Sequence, residues 1–86
     1  MTPQAANCIK HILYAYPSDA TMLKGVYKSL ARSVWPFATI RHASLSPDPW
    51  TLTATTSEGI EVVKAWPEIV GVDDVAQAVD LILEGM

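Results

Sequence analysis

The spacing of apolar residues along the first third of the chain predicts a strand and then a helix. Residues 9–16 (IKHILYAY) are rich in Ile, Leu and Tyr and end at Pro17, which favours a strand. Ser18 and Asp19 then offer capping oxygens to a helix that runs to about residue 34. Its apolar residues recur at the spacing of one helical face: Leu23, Val26, Tyr27, Leu30 and Val34.

Two extended runs joined by turn residues occupy the middle of the chain. Residues 36–45 (PFATIRHASL) follow the end of the helix and read as a second strand. In residues 50–56 (WTLTATT), Trp50, Leu52 and Ala54 alternate with threonines, as in a half-buried antiparallel strand. The SPDP segment at residues 46–49 has turn chemistry, so the sequence predicts a hairpin.

A second helix is predicted over the residues that precede Pro67. Thr55 and Glu58 have the spacing of a capping box, and proline halts a helix. The buried stripe of this helix would consist of Val62, Val63 and Trp66. Residues 69–72 are short, apolar and partly β-branched, which favours a last strand.

Asp73 and Asp74 stand where they would cap a final helix that ends near Gly85. The element order predicts an α+β ferredoxin-like βαββαβ plait, a four-stranded antiparallel sheet with two helices on one face, plus an extra C-terminal helix. A single domain of residues 1–86 would comprise a mobile N-terminus (1–8), the plait (9–73) and the C-terminal helix (74–85). We expect that helix to cover the open sheet face of its own chain or of a second copy.

Composition narrows the function classes. Half of the 86 residues are hydrophobic and 17% are charged, which is typical of a globular protein. The formal net charge of −3 disfavours nucleic acid and anionic membrane surfaces as partners. The single cysteine, Cys8, cannot form an intramolecular disulfide, and the first residues lack a signal-peptide pattern. We therefore expect a cytoplasmic protein.

No cluster of residues indicates a catalytic chemistry. His11 and His42 are the only histidines, the residue type most used for acid–base catalysis, but neither has a Cys, Asp or Glu at metal-ligand spacing. The serines lack the glycine pattern of a nucleophile elbow, and no glycine-rich phosphate loop is present. We therefore expect no catalytic residue, metal or cofactor. One enzyme alternative remains, a small dimeric α/β-barrel cyclase or isomerase using His11, His42 and Tyr14.

Two short segments carry a family resemblance: one contains Pro67, Ile69, Val72 and Asp73, and the other is residues 49–52 (PWTL). They resemble the inhibitor I9 family, the propeptides of subtilisin-like proteases and their free-standing inhibitor relatives. The first segment has the spacing of that family's second helix and last strand, and the second resembles the opening of its third strand. The similarity covers about residues 9–74. It implies the plait and binding to a protein partner, a subtilisin-like protease.

The resemblance also implies a partner-binding segment, Val72, Asp73, Asp74 and Val75, which would lie nearest the protease. In the family an extended tail follows this point and enters the protease cleft, whereas a helix is predicted here. The resemblance favours a protease inhibitor or propeptide-like chaperone. The alternative is a non-catalytic interaction module that dimerises through the open sheet face or the last helix.

Overall fold

The structure, a computed structural model, describes all 86 residues and contains three helices and one three-stranded sheet. In chain order the elements are α1 (Pro3–Ala15), α2 (Ala20–Val34), β1 (Ile40–Ser46), β2 (Trp50–Thr56), β3 (Glu61–Trp66) and α3 (Val75–Glu84). The fold is therefore α+β with the order α-α-β-β-β-α. None of the helices combines the length and apolar composition needed to cross a bilayer.

The predicted first strand at residues 9–16 is wrong, because these residues form most of α1. Thr2 caps the helix by accepting a hydrogen bond from the Ala5 N–H at 3.1 Å, and Pro3 occupies the first turn, where no intrahelical N–H is needed. Ile9 and Leu13, four residues apart, are the buried residues of this helix. The segment expected to be a mobile N-terminus forms the first turns of α1.

Helices α2 and α3 agree with the sequence prediction. Asp19 caps α2 by accepting from the Met22 N–H at 3.1 Å, and Asp74 caps α3 by accepting from the Ala76 N–H at 3.2 Å. The buried residues of the two helices lie at helical spacing: Val26, Leu30 and Ala31 in α2, and Ala78, Val79 and Ile82 in α3.

The sheet is an antiparallel meander in the order β1-β2-β3, not the predicted four-stranded plait. The predicted hairpin around residues 46–49 is present, but the predicted second helix is strand β3, and residues 69–72 belong to a loop instead of a last strand. Glycine explains both corrections. Gly59, with φ +81°, turns the chain from β2 into β3, and Gly71, with φ +72°, interrupts the expected strand.

One face of the sheet joins the core, and the other is open. Helix α2 packs on β1 and β2, while α1 packs against α2 and α3. The inward-facing residues include Ala43, Leu45, Leu52 and Ala54, all buried. On the open face β1 contributes exposed polar side chains, and β2 contributes half-buried threonines. Helix α3 packs on the α1 side, so the expectation that it covers the open face of its own chain is wrong, and cover of that face in a second copy stays a prediction.

Candidate functional site

The residues considered for an enzyme do not come together. Helix α1, which carries His11 and Tyr14, lies on the helical side of the sheet, whereas His42 is exposed on β1. The neighbours of His42 in register place its side chain on the open face, beside Thr55 of β2. Cys8 is exposed on α1, and no group of three or more His, Cys, Asp or Glu side chains could hold a metal ion.

The predicted partner-binding segment, residues 72–75, has structural contacts. The Trp50 indole Nε1–H donates to the Val72 carbonyl oxygen at 3.0 Å, which ties the loop after β3 to the start of β2. Asp74 caps α3, Val75 begins that helix, and Asp73 is exposed beside them. The binding role of this segment stays a prediction.

Strand β3 has an unpaired outer edge. The Thr56 N–H donates to the Ile60 oxygen at 2.9 Å, and the register continues to Trp50 opposite Trp66. Because hydrogen-bonded pairs alternate along an antiparallel ladder, the backbone groups of alternate β3 residues face β2, and the others face outward. The outward-facing residues are Glu61, Val63 and Ala65. We call these backbone groups, with the side chains of Ile60 and Val63, the β3 edge.

The β3 edge carries only some of the features that protect edge strands from pairing. Two charged residues, Glu61 and the inward-facing Lys64, are present, but the strand contains no proline and no bulge, and the Val63 and Ile60 side chains are 57% and 54% exposed. The opposite edge of the sheet differs, since β1 has a register shift between Ile40 and His42 that disturbs its ladder. The β3 edge is therefore the more accessible template for an added strand.

Helices leave β3 largely uncovered on its inward side as well. Helix α2 packs on β1 and β2, and no helix makes comparable contact with β3. Lys64 consequently occupies an inward-facing position yet is exposed, and its Nζ lies 5.7 Å from the centre of the Trp66 ring. This distance is within the range of a cation–π interaction and holds the lysine along its own strand.

A groove of about 720 Å³ continues from the end of β3. Its walls come from the ends of α2, β3 and α3 and from the loop at residues 68–70. Val70 and Leu81 are exposed apolar residues of this groove, and Glu68 and Glu84 are its acidic ones. The groove and the β3 edge meet at Trp66, so one end of the molecule carries both.

Electrostatic coupling is found between α1 and α3. The Tyr14 hydroxyl donates to Asp80 Oδ2 at 3.0 Å, and this hydrogen bond, with the carboxylate charge, raises the pKa of Tyr14. The other oxygen, Asp80 Oδ1, is buried without a hydrogen-bond partner. Burial alone raises the pKa of Tyr27 on α2. The Tyr14–Asp80 hydrogen bond links α1 to α3.

Sequence reasoning missed the β3 edge because it assigned residues 61–66 to a helix. The signal that would have found it is the SEG turn at residues 57–59, whose glycine adopts the left-handed conformation. In this turn the Thr56 hydroxyl accepts from the Ile60 N–H at 3.2 Å. The Thr55-x-x-Glu58 pattern thus belongs to a β-turn and not to a helix N-terminus.

In comparisons with known proteins, no family model, no curated protein and no solved structure matches this chain. The resemblance to the inhibitor I9 family therefore stays a prediction. One of its two segments occupies another position than expected, since Pro67, Ile69 and Val72 lie in the loop between β3 and α3, whereas residues 49–52 open strand β2 as expected. An extended inhibitory tail would also require α3, with three buried residues, to unfold. Titration against a subtilisin-type protease tests it directly, and tight one-to-one inhibition would support it.

Proposed function

We propose that this chain is a non-catalytic protein-interaction module that binds an extended segment of a protein partner along the β3 edge. The observation that carries the proposal is the row of outward-facing backbone groups at Glu61, Val63 and Ala65, in a strand that neither a helix nor a bulge protects. Strand addition satisfies such groups with main-chain hydrogen bonds, whereas side chains that alternate along the added strand supply specificity.

The surroundings of the edge favour a partner with apolar residues on both faces of its strand. On the open face the partner would contact Val63, and on the inward side it would contact Ile60 and Trp66. Lys64 lies over the Trp66 ring and presents the aliphatic part of its side chain to a neighbouring strand. The absence of a catalytic constellation is compatible with a module of this kind but does not support it.

Selection of peptides from a displayed library of random octapeptides tests the proposal. We expect the enriched peptides to share an alternating apolar pattern and to lose binding when alternate backbone amides are N-methylated, because methylation removes donors to the edge. The decisive variant is Ala65→Pro, which deletes an outward-facing N–H that makes no bond within the chain. The matched control is Ala65→Val, which keeps the donor and favours a strand.

Circular dichroism must first confirm that both variants fold as the parent protein does. Peptides that bind the parent and Ala65→Val equally, but not Ala65→Pro, would support strand addition. Failure to enrich any peptide at a protein concentration at which the parent is monomeric, or equal binding to all three proteins, would refute it.

A further inference from the structure

Two copies of β3 are complementary to one another in a single register. We infer that the strand added to the β3 edge is β3 of a second copy, antiparallel and related by a two-fold axis at Val63. This inference rests on the proposed strand-addition function and names its partner. The resulting dimer would contain one continuous six-stranded sheet with the helices of both copies on the same side.

Backbone geometry favours the two-fold at Val63 over its neighbours. With the axis there, Val63 lies opposite itself, and Glu61 lies opposite Ala65 of the other copy, so every outward-facing residue of β3 is paired. About six inter-chain backbone hydrogen bonds result, two for each hydrogen-bonded pair. An axis at Val62 or Lys64 pairs fewer of the outward-facing residues, because the strand ends at Glu61 and Trp66.

Charge disfavours two of the alternative registers. An axis at Lys64 would place two lysines directly opposite each other, and an axis at Glu61 would oppose two glutamates, both of which are destabilising. With the axis at Val63, Glu61 lies opposite Ala65, and Lys64 lies opposite Val62. The two lysines become diagonal neighbours. Each one leans towards Trp66 of its own strand, which directs its ammonium group away from the axis.

Apolar contacts complete the match. Val63 is the most exposed apolar side chain of β3, and the axis would pair it with its own copy on the open face. On the inward side Ile60 would lie opposite Trp66 of the second copy. The register therefore covers the two exposed aliphatic residues at the edge, Ile60 and Val63, and adds cover to a half-buried indole.

Light scattering after size exclusion, across a range of protein concentrations, tests whether the dimer forms. We expect a concentration-dependent dimer that Ala65→Pro converts to a monomer. Val63→Lys should also produce a monomer, because it opposes two charges at the axis. Ser44→Lys places the same charge on the open face but on β1, away from the edge, and should leave the dimer intact.

Disulfide formation identifies the register. In a Cys8→Ser background, single substitutions Val62→Cys, Val63→Cys and Lys64→Cys each report one position of the axis, and oxidation should cross-link Val63→Cys fastest. Faster cross-linking of either neighbour, or a dimer insensitive to Val63→Lys, would overturn the inference. A protein that stays monomeric throughout would overturn it too, while octapeptide binding sensitive to Ala65→Pro would still support the proposed function.

Discussion

The hydrogen bond from Trp50 to Val72 should hold the loop that shapes the groove. Trp50 is 3% exposed, and its indole N–H is the observed side-chain tie between the sheet and residues 67–74. Replacing Trp50 by benzothienylalanine keeps the two-ring shape and replaces the N–H by sulfur. The loss of one net hydrogen bond should lower the free energy of unfolding by about 1 kcal/mol.

Trp50→Phe should lower the free energy of unfolding by more than the benzothienylalanine replacement does. It deletes the same donor and also two buried ring carbons, which adds roughly the transfer free energy of two buried methylenes, ~1.6 kcal/mol. Together with the hydrogen bond the loss is about 2.6 kcal/mol, a large fraction of the stability of a small domain. With a urea m-value of about 1 kcal/mol/M, the midpoint of unfolding should fall by about 2.6 M.

Urea unfolding followed by circular dichroism gives these midpoints, and hydrogen exchange reports the loop itself. We expect amides at residues 67–74 to lose protection in both variants before the core does. Trp66→Phe is the matched control, because Trp66 is only half-buried and donates no hydrogen bond within the chain. A benzothienylalanine variant with unchanged stability and unchanged loop protection would refute the assigned role of this bond.

Three further predictions follow from burial, backbone conformation and titration. Leu52→Ala should destabilise the protein by about 2–5 kcal/mol in urea unfolding, because Leu52 is fully buried; a loss below that range would contradict its place in the core. Gly25→Ala should stabilise α2 by roughly 0.5–1 kcal/mol, since nothing lies within 4 Å of the added methyl group. Gly71→Ala should instead lower the free energy of unfolding by about 1 kcal/mol, because φ at this residue is +72°. Equal effects of the two substitutions on stability would contradict both assignments. The raised pKa of Tyr14 means that its contribution to stability is present below the ordinary phenol value of 10.0 and is lost as pH rises through the folded-state pKa. Tyr14→Phe should therefore show a smaller loss of stability between neutral and alkaline pH than the parent, and an identical pH profile would contradict the bond to Asp80.

The elements that the sequence predicted correctly are those in which two independent signals coincide. Helix α2 has an apolar stripe and an aspartate cap, and α3 has the same combination. The β1–β2 hairpin has alternation in β2 and turn residues before it. Local signals suffice there because each element packs one face on the core, and its apolar residues recur at the spacing of that face.

The first element was missed for a different reason. Ile, Leu and Tyr in residues 9–16 favour a strand by composition, but Ile9 and Leu13 are also one helical turn apart. The Thr2-Pro3 pair was the decisive signal, since threonine at the cap and proline in the first turn start a helix. Packing against α2 and α3 then outweighs the strand propensity of the apolar residues.

Strand β3 was predicted as a helix because no helix packs on it, so its sequence lacks the alternation of a covered strand. The same lack of cover leaves its outer edge available for the proposed binding. A strand covered by helices alternates cleanly, but β3 has Lys64 at an inward-facing position and exposed Val63 on the other face. Such a sequence matches a helical stripe as well as a strand. Its irregular pattern is the expected result for a strand whose outer neighbour is not part of the same chain. If β3 of a second copy is that neighbour, Lys64 helps to determine the register of the two strands, because repulsion between two lysines disfavours the alignment in which they lie opposite each other.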